Sequence, residues 1–324
     1  DIQKLIDIGL SYIPENSVIA RMIADLRSWH ASETDWRVTR ELLAANYGYD
    51  KYGGNCHMVP NHGLIIHSLL HGDGDFSETL KIVNTCGWDT DCNSGNVGCL
   101  MGILVGVDGI DASIDKGIDW RGPVADRLYC PTSDGDRCIS DCVREATQII
   151  NMGHTLGGAP RFAPKQGAQF HFSFKGSVQG FQVQSGTAQL SNPDGDALHI
   201  SGKAGARIGT PVFAPSLEVA DYFEKAHYKL MASPRIFPGQ HVSAGVSSPD
   251  ANLYIAYYGE GDETCYVDVG NPDDPLNPSI NVPKVPGPIF EVGLRLNKDV
   301  SLQLNHVGWQ GNPEVTFERP HHKG

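Results

Sequence analysis

Two carboxylates stand two residues apart where a turn leads into a helical segment, in the stretch CGWDTDCNSGNVG of residues 86–98. In a turn, this spacing can bring Asp89 and Asp91 towards one point. Two such charges repel each other unless one carboxylate takes up a proton or a cation neutralises them. A hard divalent ion with oxygen ligands, Mg²⁺ or Mn²⁺, would supply that neutralisation. The alternative that the spacing leaves open is helix capping by one of the two side chains.

The segment that follows this turn has glycine at positions 95, 98, 102 and 106, which fall on one face of a helix. Each glycine costs a helix roughly 1 kcal/mol relative to alanine. We therefore expect a neighbouring helix to approach this face closely and compensate. The pattern predicts a helix at the centre of a bundle, with its N-terminus held rigidly, where a carboxylate pair is well placed for metal chemistry.

The elements that must position this turn are predicted to be helices, from residue 1 to about residue 158. Asn16 or Ser17 is the predicted N-cap of the second helix, and Gly48 follows the third. Apolar residues recur at helical spacing within residues 2–10, 18–26, 34–43, 60–70, 75–83 and 139–152.

After Gly157 and Gly158 the hydrophobic period changes from helical to alternating. Strand-like runs cover residues 170–174, 253–258, 265–269, 290–296, 300–304 and 315–317, with turn-forming residues between them. Short strands at this spacing predict an antiparallel β-sandwich or jelly roll. The chain is thus predicted to be a multidomain α and β protein, with a helical domain over residues 1–158 and a β-domain over residues 159–324.

Residues 87–98 resemble the C-terminal metal motif of the ADP-ribosylglycohydrolase family (dinitrogenase reductase-activating glycohydrolase-like), a Gly-Gly-Asp-Thr/Ser-Asp-Thr/Ser run before a helix of small residues. Residues 57–61 and 72–76 resemble the segments that precede this motif, as does the turn at residues 13–14. The resemblance covers about residues 1–155. It implies the C-terminal part of the family's all-α catalytic bundle, here truncated and followed by the β-sandwich.

The resemblance implies a two-metal centre of Mg²⁺, with Mn²⁺ as the other candidate cation, in which Asp89 and Asp91 are ligands. The next position, where the family usually has a Ser or Thr oxygen, is Cys92. Sulfur is a poor ligand for Mg²⁺. Cys92 is therefore the third ligand by position, and whether Asn93 or a water molecule replaces it stays open.

The resemblance also gives four candidates for substrate binding: Trp88, Asn61, His57 and Asn93. Trp88 stands where the family commonly has glycine, and its ring either stacks on a base or sugar or packs inside the protein. Asn55 lies in the same turn and is expected to line the cleft. The family's other metal ligands and its catalytic acidic residue match nothing in residues 1–86, so the catalytic residues are expected upstream of Asp1.

The implied function is that of a glycoside hydrolase: metal-dependent hydrolysis at C1 of an ADP-ribosyl or related ribosyl group by the parent protein. The partner would be an ADP-ribosylated substrate or an ADP-ribose-like small molecule. This chain alone is expected to be inactive, because it carries part of the site. One alternative is a non-catalytic binding protein of the same fold.

The other alternative is a carbohydrate-binding module formed by the β-domain. Its aromatic candidates are Tyr254, Tyr257, Tyr258, Tyr266 and Trp309, most of which we expect in the core. Residues 304–309, with Asn305 and His306, form a candidate ligand-facing edge.

Composition limits the remaining classes. The 324 residues are 40% hydrophobic, which suits two globular cores, and a net charge of −13 disfavours a nucleic-acid partner. No run approaches the ~20 apolar residues that cross a bilayer. The eight cysteines include no CxxC pair, so reduced, mostly buried thiols are expected, which favours the cytoplasm although the sequence fixes no compartment.

His67 and His71, four residues apart, lack the further ligands of a zinc site and are expected to be packed or solvent-facing.

Overall fold

The computed structural model describes residues 1–54, 56–130, 137–214, 232–261, 263–270 and 273–315. The chain divides into two compact units, Asp1–Trp120 and Arg121–Gly324. The first unit is helical and the second is mainly β, which confirms the predicted fold class of a helical region followed by antiparallel sheets. None of the described helices combines the length and the hydropathy that crossing a bilayer requires.

The described part of the first unit contains the helices α1 (Ile2–Leu10), α2 (Val18–Ser32), α3 (Trp36–Tyr47), α4 (Met58–His71), α5 (Phe76–Thr85) and α6 (Thr90–Asp111). Each helix coincides with a predicted helical segment. The side chains of Ser17, Asp35 and Asp75 accept backbone N–H groups at the starts of α2, α3 and α5. These caps satisfy amides that have no partner inside the helix, and so they fix where each helix begins.

Helix α4 is the most deeply buried helix of this unit. Ten of its 14 residues are buried, whereas α6 buries only Asn93, Val97 and Met101 among 22 residues. The close helix approach occurs on α4, at Gly63. A Cβ added there would lie 2.8 Å from Leu43 Cδ1 and 3.0 Å from Met22 Sδ.

The prediction that the glycine face of α6 packs tightly against a neighbouring helix is wrong for the described residues. A Cβ added at Gly95 or at Gly106 would meet no atom within 4 Å. Gly106 also leaves the helical conformation, with φ 67° and ψ −176°. Glycine spacing defines a face of a helix, but it does not determine whether another helix covers that face.

The second unit contains the elements β1 (Arg127–Tyr129), β2 (Ile139–Asp141), α7 (Cys142–Gly157), β3 (Gln182–Ser185), β4 (Ala188–Ser191), β5 (Leu198–Gly202), β6 (Arg207–Pro211), β7 (His241–Val246), β8 (Ala251–Tyr258), β9 (Thr264–Val269), β10 (Ser279–Asn281), β11 (Ile289–Leu296) and β12 (Val300–Gln310). The helix predicted from residue 139 begins three residues later, because residues 139–141 pair with β1. The predicted strand at 315–317 extends beyond the described residues.

Two five-stranded antiparallel sheets form the β-sandwich. We name them by their central strands: the β12 sheet has the order β10-β7-β12-β5-β4, and the β11 sheet has the order β3-β6-β11-β8-β9. Side chains of both sheets share one buried core. The predicted strand at residues 170–174 is irregular instead: Phe170 forms a single bridge with Val307, and Phe172 has φ 52°. Both rings are nevertheless buried in the core, which explains their apolar spacing.

A buried polar network ties residues 121–157 to the sandwich. Gln179 accepts two backbone N–H groups through Oε1, at 2.8 and 2.7 Å, and donates through Nε2 to Asp141 Oδ1 at 3.2 Å. Asp126 Oδ2 accepts from Ser177 Oγ at 2.7 Å. These bonds explain why the second compact unit begins before α7. The predicted domain boundary lies near residue 158, whereas the second compact unit begins at Arg121. The boundary at residue 158 stays a prediction.

Replacing Gly95 with alanine is expected to stabilise the 324-residue chain by roughly 0.5–1 kcal/mol, because a helical glycine loses more backbone entropy and nothing opposes the new methyl group. Gly63→Ala is the matched comparison, and it should destabilise because its Cβ would overlap Leu43 and Met22. Urea unfolding followed by circular dichroism measures both changes. A destabilising Gly95→Ala would mean that a close partner covers this face of α6.

Candidate metal centre

The turn between α5 and α6 is built from two consecutive residues in the left-handed region. Gly87 has φ 79° and Trp88 has φ 60°, a conformation that glycine adopts freely and tryptophan rarely adopts. The turn places Asp89 at the N-cap position of α6. The side chain of Asp89 makes no capping hydrogen bond, so the helix-capping alternative does not describe this residue.

One oxygen of Asp89, one oxygen of Asp91 and Sγ of Cys92 all lie within 4.8 Å of one another. Asp89 is half-buried, and the other two side chains are exposed. Hydrogen bonding with Asp89, and with the backbone amide of Cys92, holds the pKa of Asp91 below its ordinary value. The three positions singled out as metal ligands therefore adjoin in space, and their role as ligands stays a prediction.

Asn61 connects helix α4 to this cluster. Its Nδ2 donates to Asp89 Oδ2 at 3.1 Å, while its Oδ1 accepts from the Tyr49 hydroxyl at 2.5 Å. Asn61 is buried, so these two bonds hold the amide in one orientation and, through it, one oxygen of Asp89. Tyr49 was not among the predicted residues, and no motif around it distinguishes it from other surface tyrosines.

Trp88 is half-buried between groups of the protein itself. Its ring stacks on Tyr49, with a centroid distance of 5.0 Å and an interplanar angle of 26°. The guanidinium of Arg40 lies 4.8 Å from the centroid of the Trp88 ring and donates to the carbonyl of Cys86 at 3.1 Å. Of the two roles weighed for Trp88, packing is the one that these contacts support, and substrate stacking stays a prediction.

The other two substrate candidates have different surroundings. His57 is the N-cap of α4: its Nδ1 accepts from the Val59 amide at 3.2 Å, and its ring lies 5.3 Å from that of Tyr52. Asn93 is 1% exposed, and its Nδ2 has no hydrogen-bond partner among the residues that the structure describes. A buried donor without an acceptor costs roughly 1–3 kcal/mol, which a water or ligand oxygen would recover. Asn55 lies outside the described residues.

Of the two thiols that interact with Asp89, only Cys92 was predicted to lie near it. Hydrogen bonding with Asp89 raises the pKa of both Cys92 and Cys56. Cys56 precedes α4 and was not predicted to lie here. Of the eight cysteines, only Cys86 and Cys138 are buried, so the expectation of mostly buried thiols is wrong.

The histidines of α4 form a packed network rather than an open ligand pair. Thr39 Oγ1 lies 2.8 Å from Nε2 of His67 and 2.8 Å from Nε2 of His71. His67 Nε2 is also 3.0 Å from the carbonyl of Trp36, and the ring of His30 meets that of His71 edge-on at 4.6 Å. Burial lowers the pKa of both His67 and His71 to about 4. These contacts agree with the expectation of packed histidines.

The aromatic candidates of the β-domain do not form a single exposed platform. Tyr254 and Tyr258 are buried, as expected for most of the set, and Trp309 packs against the sandwich core. Tyr266 is exposed, with the Arg207 guanidinium 3.9 Å above its ring centroid. Residues 304–309 do not form a sheet edge, because β12 is the central strand of its sheet, and the ligand-facing role of Asn305 and His306 stays a prediction.

Residues 1–147, just under half of the chain, match the family model described as ADP-ribosylglycohydrolase. The helical part of the chain is therefore similar to this family. The match confirms the resemblance seen around the Asp89–Asp91 turn, and at the level of the family it supports a glycohydrolase. It extends past the first compact unit into α7.

Solved structures with a partial likeness include carbohydrate-binding modules. One is the CBM22-1 xylan-binding domain of Paenibacillus barcinonensis Xyn10C (12% identity, 45% of this chain, 94% of that chain, TM-score 0.30). Another is the CBM22-1–GH10 part of Clostridium thermocellum xylanase 10B (11% identity, 44% and 28% of the chains, TM-score 0.30). A third contains accessory secretory proteins of Streptococcus pneumoniae (12% identity, 44% and 93%, TM-score 0.25). No curated protein matches the chain.

Acidification from pH 7 to pH 4 is expected to destabilise the helical unit. Because burial lowers the pKa of His67 to about 4 from 6.5, the unfolded chain binds a proton in this window that the folded chain does not. Stability is complete above pH 6.5 and falls as the pH approaches 4, by about 3 kcal/mol for His67. The contribution of half-buried His71 to this loss of stability is smaller, because solvent screens its charge. Urea unfolding across this pH range measures the slope.

His67→Gln should flatten this dependence, while His154→Gln in α7 should leave it unchanged. An NMR titration of His67 with a midpoint near 6.5 would contradict the lowered pKa of this residue and its role in the acid sensitivity.

Proposed function

We propose that the protein to which this chain belongs hydrolyses the glycosidic bond at C1 of an ADP-ribosyl or related ribosyl group, with a divalent cation held by Asp89 and Asp91. One observation carries the proposal: two carboxylates meet a third ligand group within 4.8 Å at the start of α6, inside the region that matches the ADP-ribosylglycohydrolase family. The substrate would be an ADP-ribosylated molecule or an ADP-ribose-like metabolite.

The donor set fits a divalent cation in two respects. The two carboxylates offer the oxygen ligands that Mg²⁺ and Mn²⁺ prefer, and a bound cation would remove their mutual repulsion. Cys92 is the member of the cluster that does not suit Mg²⁺. Both Mg²⁺ and the two-metal centre stay proposals.

When bound, the cation would orient the ribose diol and lower the pKa of a water molecule for attack at C1. The protein groups around it have supporting tasks. Asn61 fixes one oxygen of Asp89, and Tyr49 fixes Asn61, so the carboxylate is oriented before a ligand arrives. Trp88, held by Tyr49 and Arg40, forms a rigid wall beside the pair.

We further propose that residues outside this sequence complete the site. Among the described residues, the cluster contains no carboxylate other than Asp89 and Asp91. Hydrolysis of a glycosidic bond needs a general acid or base in addition to the metal ligands. We therefore expect the 324-residue chain by itself to release no ADP-ribose at an enzyme-like rate.

Asp89→Asn and Asp91→Asn, each made in the protein extended upstream of Asp1, should lower the metal-dependent release of ADP-ribose by roughly 100-fold or more, since the loss of a metal ligand removes several kcal/mol of transition-state stabilisation. Asp115→Asn, an exposed acid of the same unit, is the control and should be neutral. Release would be followed by chromatography with and without Mg²⁺ or Mn²⁺.

Full activity in both Asp variants would reject the metal role. Absence of any hydrolysis in the unmodified extended protein, with cation binding intact, would favour the non-catalytic binding protein.

A second candidate function concerns the β-domain, which we propose to bind a neutral carbohydrate on the outer face of the β12 sheet. A groove of about 820 Å³ lies on this face. Cross-strand pairing aligns its polar side chains in two rows, Gln189–Ser201–Ser301 and Ser191–His199–Gln303. Amide and hydroxyl groups are uncharged donors and acceptors, which match sugar hydroxyls better than a charged ligand.

His199→Ala and Gln303→Ala should each weaken binding of the β-domain's polysaccharide by roughly tenfold, the effect of about 1.4 kcal/mol expected for a lost hydrogen bond. The two side chains lie 3.1 Å apart, so the double variant should lose less than the sum. Thr264→Ala, an exposed strand residue of the β11 sheet, is the control. A glycan array with the 324-residue chain, followed by affinity electrophoresis, makes the measurement.

Binding that resists both substitutions would place the carbohydrate site elsewhere, and an array without any positive glycan would reject the carbohydrate function.

A further inference from the structure

Cys92 is the residue by which this site differs from a magnesium site. Its Sγ belongs to the same cluster as the two carboxylates and is exposed, so that it is free to approach a cation. Thiolate sulfur ligates zinc and other borderline or soft cations, whereas Mg²⁺ and Ca²⁺ take oxygen.

The geometry suits a tetrahedral cation. Zinc–sulfur bonds of about 2.3 Å and zinc–oxygen bonds of about 2.1 Å place neighbouring ligand atoms about 3.6 Å apart. The three ligand atoms lie within 4.8 Å of one another, so rotations of the exposed Asp91 and Cys92 side chains suffice to close the site. Three protein ligands leave a fourth position open for water, which is the arrangement of catalytic rather than structural zinc sites.

One neighbouring group bears on a ligand near this position. Asn93 follows Cys92 in the chain, is 1% exposed, and its Nδ2 donor has no acceptor within the described residues. A buried donor without an acceptor is suited to a water molecule or another polar ligand.

We propose that this site selects a thiophilic divalent cation, of the class of Zn²⁺ and Co²⁺, with the Cys92 thiolate as a ligand beside Asp89 and Asp91. This proposal rests on the cation site of the proposed function and names its metal class. On binding, the Cys92 thiol loses its proton to solvent and forms the metal–sulfur bond. Cys56 is not one of the proposed ligands.

The test is a titration of the untagged, reduced 324-residue chain with Co²⁺, whose bond to sulfur gives a ligand-to-metal charge-transfer band in the near ultraviolet. We expect this band in the unmodified chain and its loss in Cys92→Ser. Zn²⁺ affinity, measured by competition with a chelator, should fall at least ~10-fold in the same variant. Cys99→Ser removes another exposed thiol of α6 and should change neither quantity. Cys56→Ser should keep the band and weaken affinity less than Cys92→Ser.

Thermal unfolding of each variant shows whether the fold is preserved, which the exposure of Cys92 leads us to expect. A band that survives Cys92→Ser, or Mg²⁺ binding tighter than Zn²⁺, would overturn the proposal. If Asp89→Asn and Asp91→Asn remove Mg²⁺ binding while Cys92→Ser changes nothing, sulfur ligation fails and the proposed function stands. If neither Asp variant affects the binding of any cation, both the proposed sulfur ligation and the proposed function fail.

Discussion

Repulsion between two carboxylates at the start of α6 is the constraint on which the helical unit's chemistry depends. Asp89 and Asp91 lie close together, and no capping bond draws Asp89 away. The left-handed turn at residues 87–88 and the amide of Asn61 hold this geometry in place. The fold thus uses a strained turn and a buried amide to keep two like charges close together, which is the physical basis of the proposed cation site.

Helix α4 connects this site to the hydrophobic core. Its first turn offers Asn61 to Asp89, its middle packs Gly63 against α2 and α3, and its last turns place His67 and His71 around Thr39. The same helix therefore orients the Asp89 carboxylate and fills the bundle. Because its histidines are held neutral, acid weakens the support of the site as well as the core.

The second unit uses its polar groups in two ways. Inside, Gln179 and Asp141 satisfy backbone and side-chain groups that the irregular segment before β3 leaves without partners. Outside, the β12 sheet presents rows of uncharged side chains, among them His199 and Gln303, along an open groove. The first arrangement holds α7 to the sandwich, and the second leaves a face available for a ligand rich in hydroxyl groups.

The sequence by itself determined the division into a helical region and a β region, the cap at Ser17 and the family likeness, because local periodicity and short motifs carry these features. It could not determine which helix lies at the centre, and it favoured the glycine face of α6 over Gly63 of α4. Nor could it place Tyr49 against Asn61. These relations depend on side chains far apart in the chain, and only tertiary packing brings such side chains within bonding distance.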